Sequence, residues 1–105
     1  MKTTPLSLYE LNYLVRKTIE LGMPRTYWVK AEIAELRENA GHCFIELIEK
    51  DPKYNTPTAR ASAKCWRQTW TAMKPYFEQT TGQRLAAGMN ILEEVYAQFH
   101  DAYGS

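Results

Sequence analysis

Leu11, Leu14, Val15, Thr18 and Ile19 recur at i, i+3, i+4, i+7 and i+8, while Asn12, Arg16, Lys17 and Glu20 fall between them. That spacing predicts an amphipathic helix with one apolar stripe. Ser7-Leu8-Tyr9-Glu10 fits the S-x-x-E capping box, so the helix should begin at Ser7, and Gly22 and Pro24 should end it. Nothing in its composition asks more of this helix than packing. From Tyr27 to Leu36 the period changes to two: Val29, Ala31 and Ile33 alternate with Trp28, Lys30, Glu32 and Ala34, as in a half-buried strand. The polar run from Arg37 to Gly41 reads as a loop into a second strand, His42 to Glu49, with Cys43, Ile45 and Leu47 on one face. Lys50 to Thr58, with Pro52, Pro57, Asp51 and Asn55, marks a long hairpin connection to a third strand from Ala59 to Trp66.

If the second and third strands pair about a turn near Tyr54, position i faces position 108 minus i. Phe44 then meets Lys64 and Cys43 meets Cys65, with the ring and the cations on one face and the two thiols on the core face. Gln68 to Gly82 has helical spacing at Trp70, Met73, Tyr76 and Phe77, but Pro75 should shorten or break the helix. The last stretch is ambiguous. Leu85, Met89, Leu92, Tyr96, Phe99 and Tyr103 match a helix, whereas Ile91, Val95, Tyr96 and Phe99 suit a long strand after Gly88.

A chain of 105 residues, 45% hydrophobic and 24% charged, supplies one small core. No apolar run approaches the roughly 18 to 20 residues of a membrane span, and the Met1 to Pro5 start lacks a signal-peptide apolar region. A soluble cytoplasmic protein without a membrane partner is expected. Cys43 and Cys65 lack both CxxC spacing and a matching His pair, so reduced, buried thiols and no metal are expected. The formal net charge of +1 excludes a histone-like basic footprint. The charge is uneven, however: residues 59 to 84 carry +4, residues 1 to 58 balance, and residues 85 to 105 carry −3. Any nucleic-acid site should be local and centred on the third strand and the helix after it.

Helix, strand, a hairpin of two strands, helix and a last strand is the order of an OB fold, a partly open five-stranded Greek-key barrel, preceded by a helix. Three blocks carry a closer resemblance: Leu6-Ser7-Leu8-Tyr9-Glu10-Leu11-Asn12, Trp28-Val29-Lys30-Ala31-Glu32-Ile33-Ala34 and Gly41-His42-Cys43-Phe44-Ile45-Glu46-Leu47. In order and separation they resemble the amino-terminal segment of the exodeoxyribonuclease VII large-subunit family, over nearly the whole chain. The chain departs from the family in having Ala31 for the usual Gly, Ala40 for Ser, Phe44 for Tyr, Trp66 for Phe, and Glu93-Glu94-Val95-Tyr96 for V-R-G-R. Two cations expected near the last strand are therefore missing, while Arg67 keeps the family's basic residue after the third strand.

The resemblance implies a strand over Gly88 to His100 and a helical extension at 1–24 followed by an OB domain at 25–105. It implies that the chain is a fragment lacking its fifth strand, which would leave an open barrel edge through which a dimer could form. It also implies a longer parent whose absent central domain hydrolyses single-stranded DNA from both ends to oligonucleotides bearing 5′-phosphates. Other absent parts of that parent would bind the family's small subunit.

Strand parity places Trp28, Lys30, Phe44, Arg60, Lys64 and Trp66 on one outward face, with Arg67 beside it. Aromatic rings interleaved with cations suit single-stranded DNA: bases stack at about 1 to 3 kcal/mol each and cations offset phosphate charge. Any one of the aromatics alone is equally well explained as a cap on the barrel core. His42, in the family's G-H pair, should orient the first loop by hydrogen bonding. Adjacent Glu93 and Glu94 would point to opposite faces of a strand, a poor metal site. No nucleophile with a partnering base and no cofactor motif is present, so an enzyme in its own right is the weakest reading. An OB-type interaction or dimerisation module with no nucleic-acid role is the main alternative.

Overall fold

The computed structural model describes residues 4–98. Its elements are α1 (Leu8–Gly22), β1 (Tyr27–Asn39), β2 (His42–Lys50), β3 (Pro57–Cys65), α2 (Arg67–Thr81) and β4 (Asn90–Val95). The strands form one sheet in the order β3-β2-β1-β4. This is the open, antiparallel sheet of an OB fold with a helix before it and a helix between the third and fourth strands. Four strands are present among the described residues.

The capping box forms as expected. The Ser7 N–H donates to Glu10 Oε1 at 2.9 Å and the Glu10 N–H to Ser7 Oγ at 3.1 Å, satisfying two donors that a first helical turn leaves open. The β2–β3 register is also the expected one, with Cys43 opposite Cys65, Phe44 opposite Lys64 and Glu49 opposite Ala59, before it shifts so that Lys50 faces Pro57.

Four expectations are corrected. The loop from Arg37 to Gly41 shrinks to two residues, Ala40 and Gly41, because both take positive φ (53° and 83°) and build the tight hairpin turn whose twist matches the strands. The third strand stops at Cys65, and Trp66 instead becomes the N-cap of α2 in extended geometry. Pro75 does not break α2, which runs unbroken for 15 residues. The turn before the proline is pinned from outside: the Trp70 indole N–H donates to Glu38 Oε2 at 2.8 Å, and Lys74 Nζ donates to both Glu38 oxygens at 3.1 Å. Those anchors offset the lost backbone bond, and Gly82, in left-handed geometry, closes the helix. The last segment is a strand, but a short one of six residues. The ends of the expected strand and helix, including Phe99, His100 and Tyr103, lie outside the described residues.

The chain divides into two compact units, Lys30–Leu92 and the described residues on either side of it. Among the described residues the five buried hydrophobic ones, Ile33, Cys43, Leu47, Ile48 and Trp70, all belong to the first. At its centre Ile33 ties β1 to the turn that leads into β4: its N–H donates to the Met89 carbonyl at 2.8 Å and its carbonyl accepts from the Gly88 N–H at 2.7 Å. The other unit buries none of its described residues. The α1 stripe is therefore not the packing surface expected of it, with Leu11 46% and Leu14 53% exposed. Within that unit the Thr26 hydroxyl donates to Glu94 Oε2 at 2.7 Å.

Candidate nucleic-acid interface

Side-chain direction on the sheet follows from register. In β2, which pairs without interruption from Cys43 to Glu49 against β3, Phe44, Glu46 and Ile48 share one face, and their partners Lys64, Ser62 and Arg60 share it too. On the other side of β2 the pairing with β1 slips between Ile33 and Glu35, where a bulge lets two β1 residues answer one β2 residue. Past the slip the parity of β1 is reversed. Leu36 and Glu38 join the core face opposite Ile45 and Cys43, while Glu35 and Arg37 join the Phe44 face opposite Glu46 and Phe44.

Arg37 thus enters the candidate site although the polar, Gly-ended run from Arg37 to Gly41 reads as a loop. Its guanidinium carbon sits 5.0 Å from the centre of the Phe44 ring. A signal for it existed in the chain: Ile33 and Leu36 are apolar at a separation of three, which breaks period two where an extra residue is inserted.

The hairpin end of this face is tightly organised. The Arg67 backbone N–H, at the first position of α2, donates to His42 Nδ1 at 2.9 Å, so the imidazole serves a helix end whose Trp66 N-cap has no side-chain oxygen to offer. The His42 ring meets Trp66 edge-on at 5.3 Å. The Arg67 Nε–H reaches back to the Ala40 carbonyl at 3.0 Å. Its side chain lies so close over the turn that a Cβ at Gly41 would stand 2.9 to 3.1 Å from Nε, Cγ and Cδ. Lys64 Nζ lies 5.9 Å from the centre of the Trp66 ring, which is itself 43% exposed.

His42, Phe44, Lys64, Trp66 and Arg67 are thereby gathered at one end of the face, with Arg37 added. Arg60 lies further along β3 opposite Ile48, and the Glu46–Ser62 pair intervenes: the Ser62 hydroxyl donates to Glu46 at 2.8 and 3.0 Å. Lys30 is exposed on β1, beyond Glu32, whose carboxylate pairs with Lys50 at 3.2 Å. Trp28 is 66% exposed and belongs to the other unit.

The remaining chemistry is quiet. Cys43 and Cys65 face each other as free thiols, burial pushing Cys43 up to about 11 and Cys65 in the same direction, so neither is an active nucleophile at neutral pH. Among the described residues no group of three or more His, Cys, Asp or Glu is placed to hold a metal ion, and no helix is long and apolar enough to cross a membrane. Hydrogen bonds from Trp70 and Lys74 hold the Glu38 carboxyl below the usual range. Both carboxylate oxygens of Glu93 are shielded from water without a hydrogen-bond partner, and desolvation raises its pKa.

An antiparallel sheet with cations beside aromatic rings at the first hairpin is the arrangement of an oligonucleotide-binding barrel. Residues 6–105 match the family of OB-fold nucleic acid binding domains, and the chain belongs to that family. It is similar to the exodeoxyribonuclease 7 large subunit of Deinococcus radiodurans, with 33% identity over 103 residues that take in 94% of this chain and 24% of that protein. The chain spans about a quarter of the length of that curated relative. This similarity agrees with the resemblance carried by the three sequence blocks. No solved structure matches the chain.

Proposed function

We propose that this domain binds single-stranded DNA, and that in a longer parent resembling the exodeoxyribonuclease VII large subunit it grips the strand that a separate nuclease domain hydrolyses to 5′-phosphate oligonucleotides. The observation that carries the reading is the cluster of a half-buried Phe44 ring, an exposed Trp66 ring and their cations at the hairpin end of the Phe44 face. Phe44 and Trp66 offer stacking surfaces, and Arg37, Lys64 and Arg67 supply charge for phosphates. Lys30 and Arg60 are outer members of the surface, and Trp28 is a separate stacking candidate in the other unit. His42 acts by holding the start of α2, and hence Trp66 and Arg67, in position. In this reading residues 1–24 are an extension of an OB domain at 25–105, the parent works in the cytoplasm, and the family's small subunit joins through other parts of that parent.

The test is fluorescence anisotropy of a labelled dT oligonucleotide of about 15 nucleotides, a length within the usual OB site range. Binding should weaken with salt and fall several-fold on Trp66→Ala. A folded sample that does not bind at low salt would sink the reading. One observation favours a second role: the exposed apolar stripe of α1, with Leu8 at 73% and Leu14 at 53% exposure. An interaction module would self-associate in sedimentation runs, without salt-sensitive DNA binding.

A further inference from the structure

The Phe44 face carries successive cross-strand rows of opposite charge. Behind the Asn39–His42 pair that adjoins the hairpin turn, the next row on this face reads Arg37, Phe44, Lys64 across β1, β2 and β3. The next reads Glu35, Glu46, Ser62. The two glutamates are direct cross-strand partners, an arrangement that costs stability in a sheet and needs a reason. Among the described residues neither Arg37 nor Lys64 pairs with a carboxylate; both lie against rings, so their charge is open to an anion.

We infer that a bound strand crosses the sheet along the Arg37–Phe44–Lys64 row, with Arg37 and Lys64 each taking a phosphate, and that Glu35 and Glu46 bar it from running lengthwise toward Arg60. This rests on the single-stranded-DNA reading and deepens it. The backbones of Arg37 and Lys64 are two strand spacings apart, about 10 Å, with one ring between them, which suits a base flanked by its two phosphates. The acidic row lies two residues along each strand, about 7 Å away on the same face. That is inside the screening length of about 10 Å at 0.1 M salt, so a phosphate placed over it is repelled. The Arg37 guanidinium carbon lies 5.0 Å from the centre of the Phe44 ring, which holds it in place while its donors stay available to an oxygen.

The same anisotropy titration tests this on the 105-residue chain, with Arg37→Ala, Arg60→Ala and the double variant Glu35→Gln with Glu46→Gln. Arg37→Ala should weaken binding about ten-fold at low salt and lower the slope of log K against log salt by about one. Arg60→Ala should lose clearly less than Arg37→Ala, about two- to three-fold, since the acidic row lies between it and the path. Neutralising both glutamates should tighten binding by about three- to ten-fold at low salt, the gain fading as salt rises. Equal losses for Arg60→Ala and Arg37→Ala, or no gain from the double variant, would overturn the crossing path. If Trp66→Ala abolishes binding while Arg37→Ala does not change it, the path fails and the single-stranded-DNA reading stands; if wild type does not bind, both fail. These side chains lie outside the buried core, and Arg37→Gln, which keeps a stem over Phe44, replaces any alanine variant whose urea midpoint departs from wild type.

Discussion

The Lys30–Leu92 unit and the α1 helix show how differently two well-patterned segments can end. Both follow their expected periodicity, and α1 has the better local chemistry, with a complete capping box. Yet among the described residues the sheet unit holds every buried hydrophobic one, while α1 buries none and leaves Leu8, Leu11 and Leu14 exposed. A good pattern prescribes an element; a core needs a second surface opposite it. In the sheet unit that surface is α2, brought onto the core face by Trp70 and held by Glu38. The stability of the domain should therefore reside almost wholly between Lys30 and Leu92.

The sharpest way to break this contrast is to truncate one large side chain in each region. Trp70→Ala removes a residue 4% exposed together with its hydrogen bond to Glu38, and should cost about 3 to 5 kcal/mol in urea denaturation. Leu14→Ala, at a position 53% exposed, should stay within about 0.5 kcal/mol. A Leu14 loss as large as that of Trp70 would show that α1 is packed after all.

Next in size is Gly41→Val. A β-branched side chain at φ 83°, with Arg67 atoms about 3 Å from its Cβ, should destabilise the domain by about 1 to 3 kcal/mol. It should also weaken DNA binding beyond its effect on folding, because Arg67 and the Trp66 cap move with the turn. Arg67→Ala relieves the clash, so combining the two should recover part of the lost stability in a double-mutant cycle.

Smaller, but distinguishing the units by sign, is the response to acid. The Glu38 carboxyl is held below its ordinary 4.5 by Trp70 and Lys74, so its contribution is complete above pH 4.5 and is lost as pH falls through the lower folded value. The Glu93 carboxyl, raised by desolvation, works oppositely: the folded state favours the protonated form, and stability declines as pH rises from 4.5 through the raised value. Glu38→Gln should flatten the acid limb of a stability–pH curve. Glu93→Gln should raise stability at neutral pH and leave it unchanged at acid pH.

Smallest of all is the thiol response. With burial pushing Cys43 up to about 11, the native protein should react with a thiol reagent at pH 8 far more slowly than the unfolded chain. Fast labelling of Cys43 in the native state would mean that the β2–β3 end opens readily.

Much of this was readable along the chain because its causes are local. Ser7 and Glu10 are three residues apart, and the β2–β3 register depends on matching apolar faces in two strands joined by a connection of known length. His42, too, was legible as an orienting group through the family's G-H pair; what it orients, the start of α2 25 residues on, was not. Most of the proposed interface was legible by strand alternation, but Arg37 was hidden because its polar run reads as a loop and a bulge reverses parity in β1 just before it.

By itself, then, the sequence determined the order of the elements, the capped start of α1, the β2–β3 register and the run of cations beside aromatic residues. These follow from periods of 3.6 and 2 and from residues that satisfy their neighbours' backbone groups. The tertiary structure alone decided that α2 survives Pro75, that the last strand is only six residues long, that Glu35 and Arg37 turn to the Phe44 face, and that α1 buries none of its residues. Each depends on a partner distant in the chain: Glu38 anchors α2, Ile33 pairs with Gly88 and Met89, and β2 sets the slip in β1. Side-chain periodicity records which face a residue shares with its neighbours, whereas packing determines whether anything comes to cover that face.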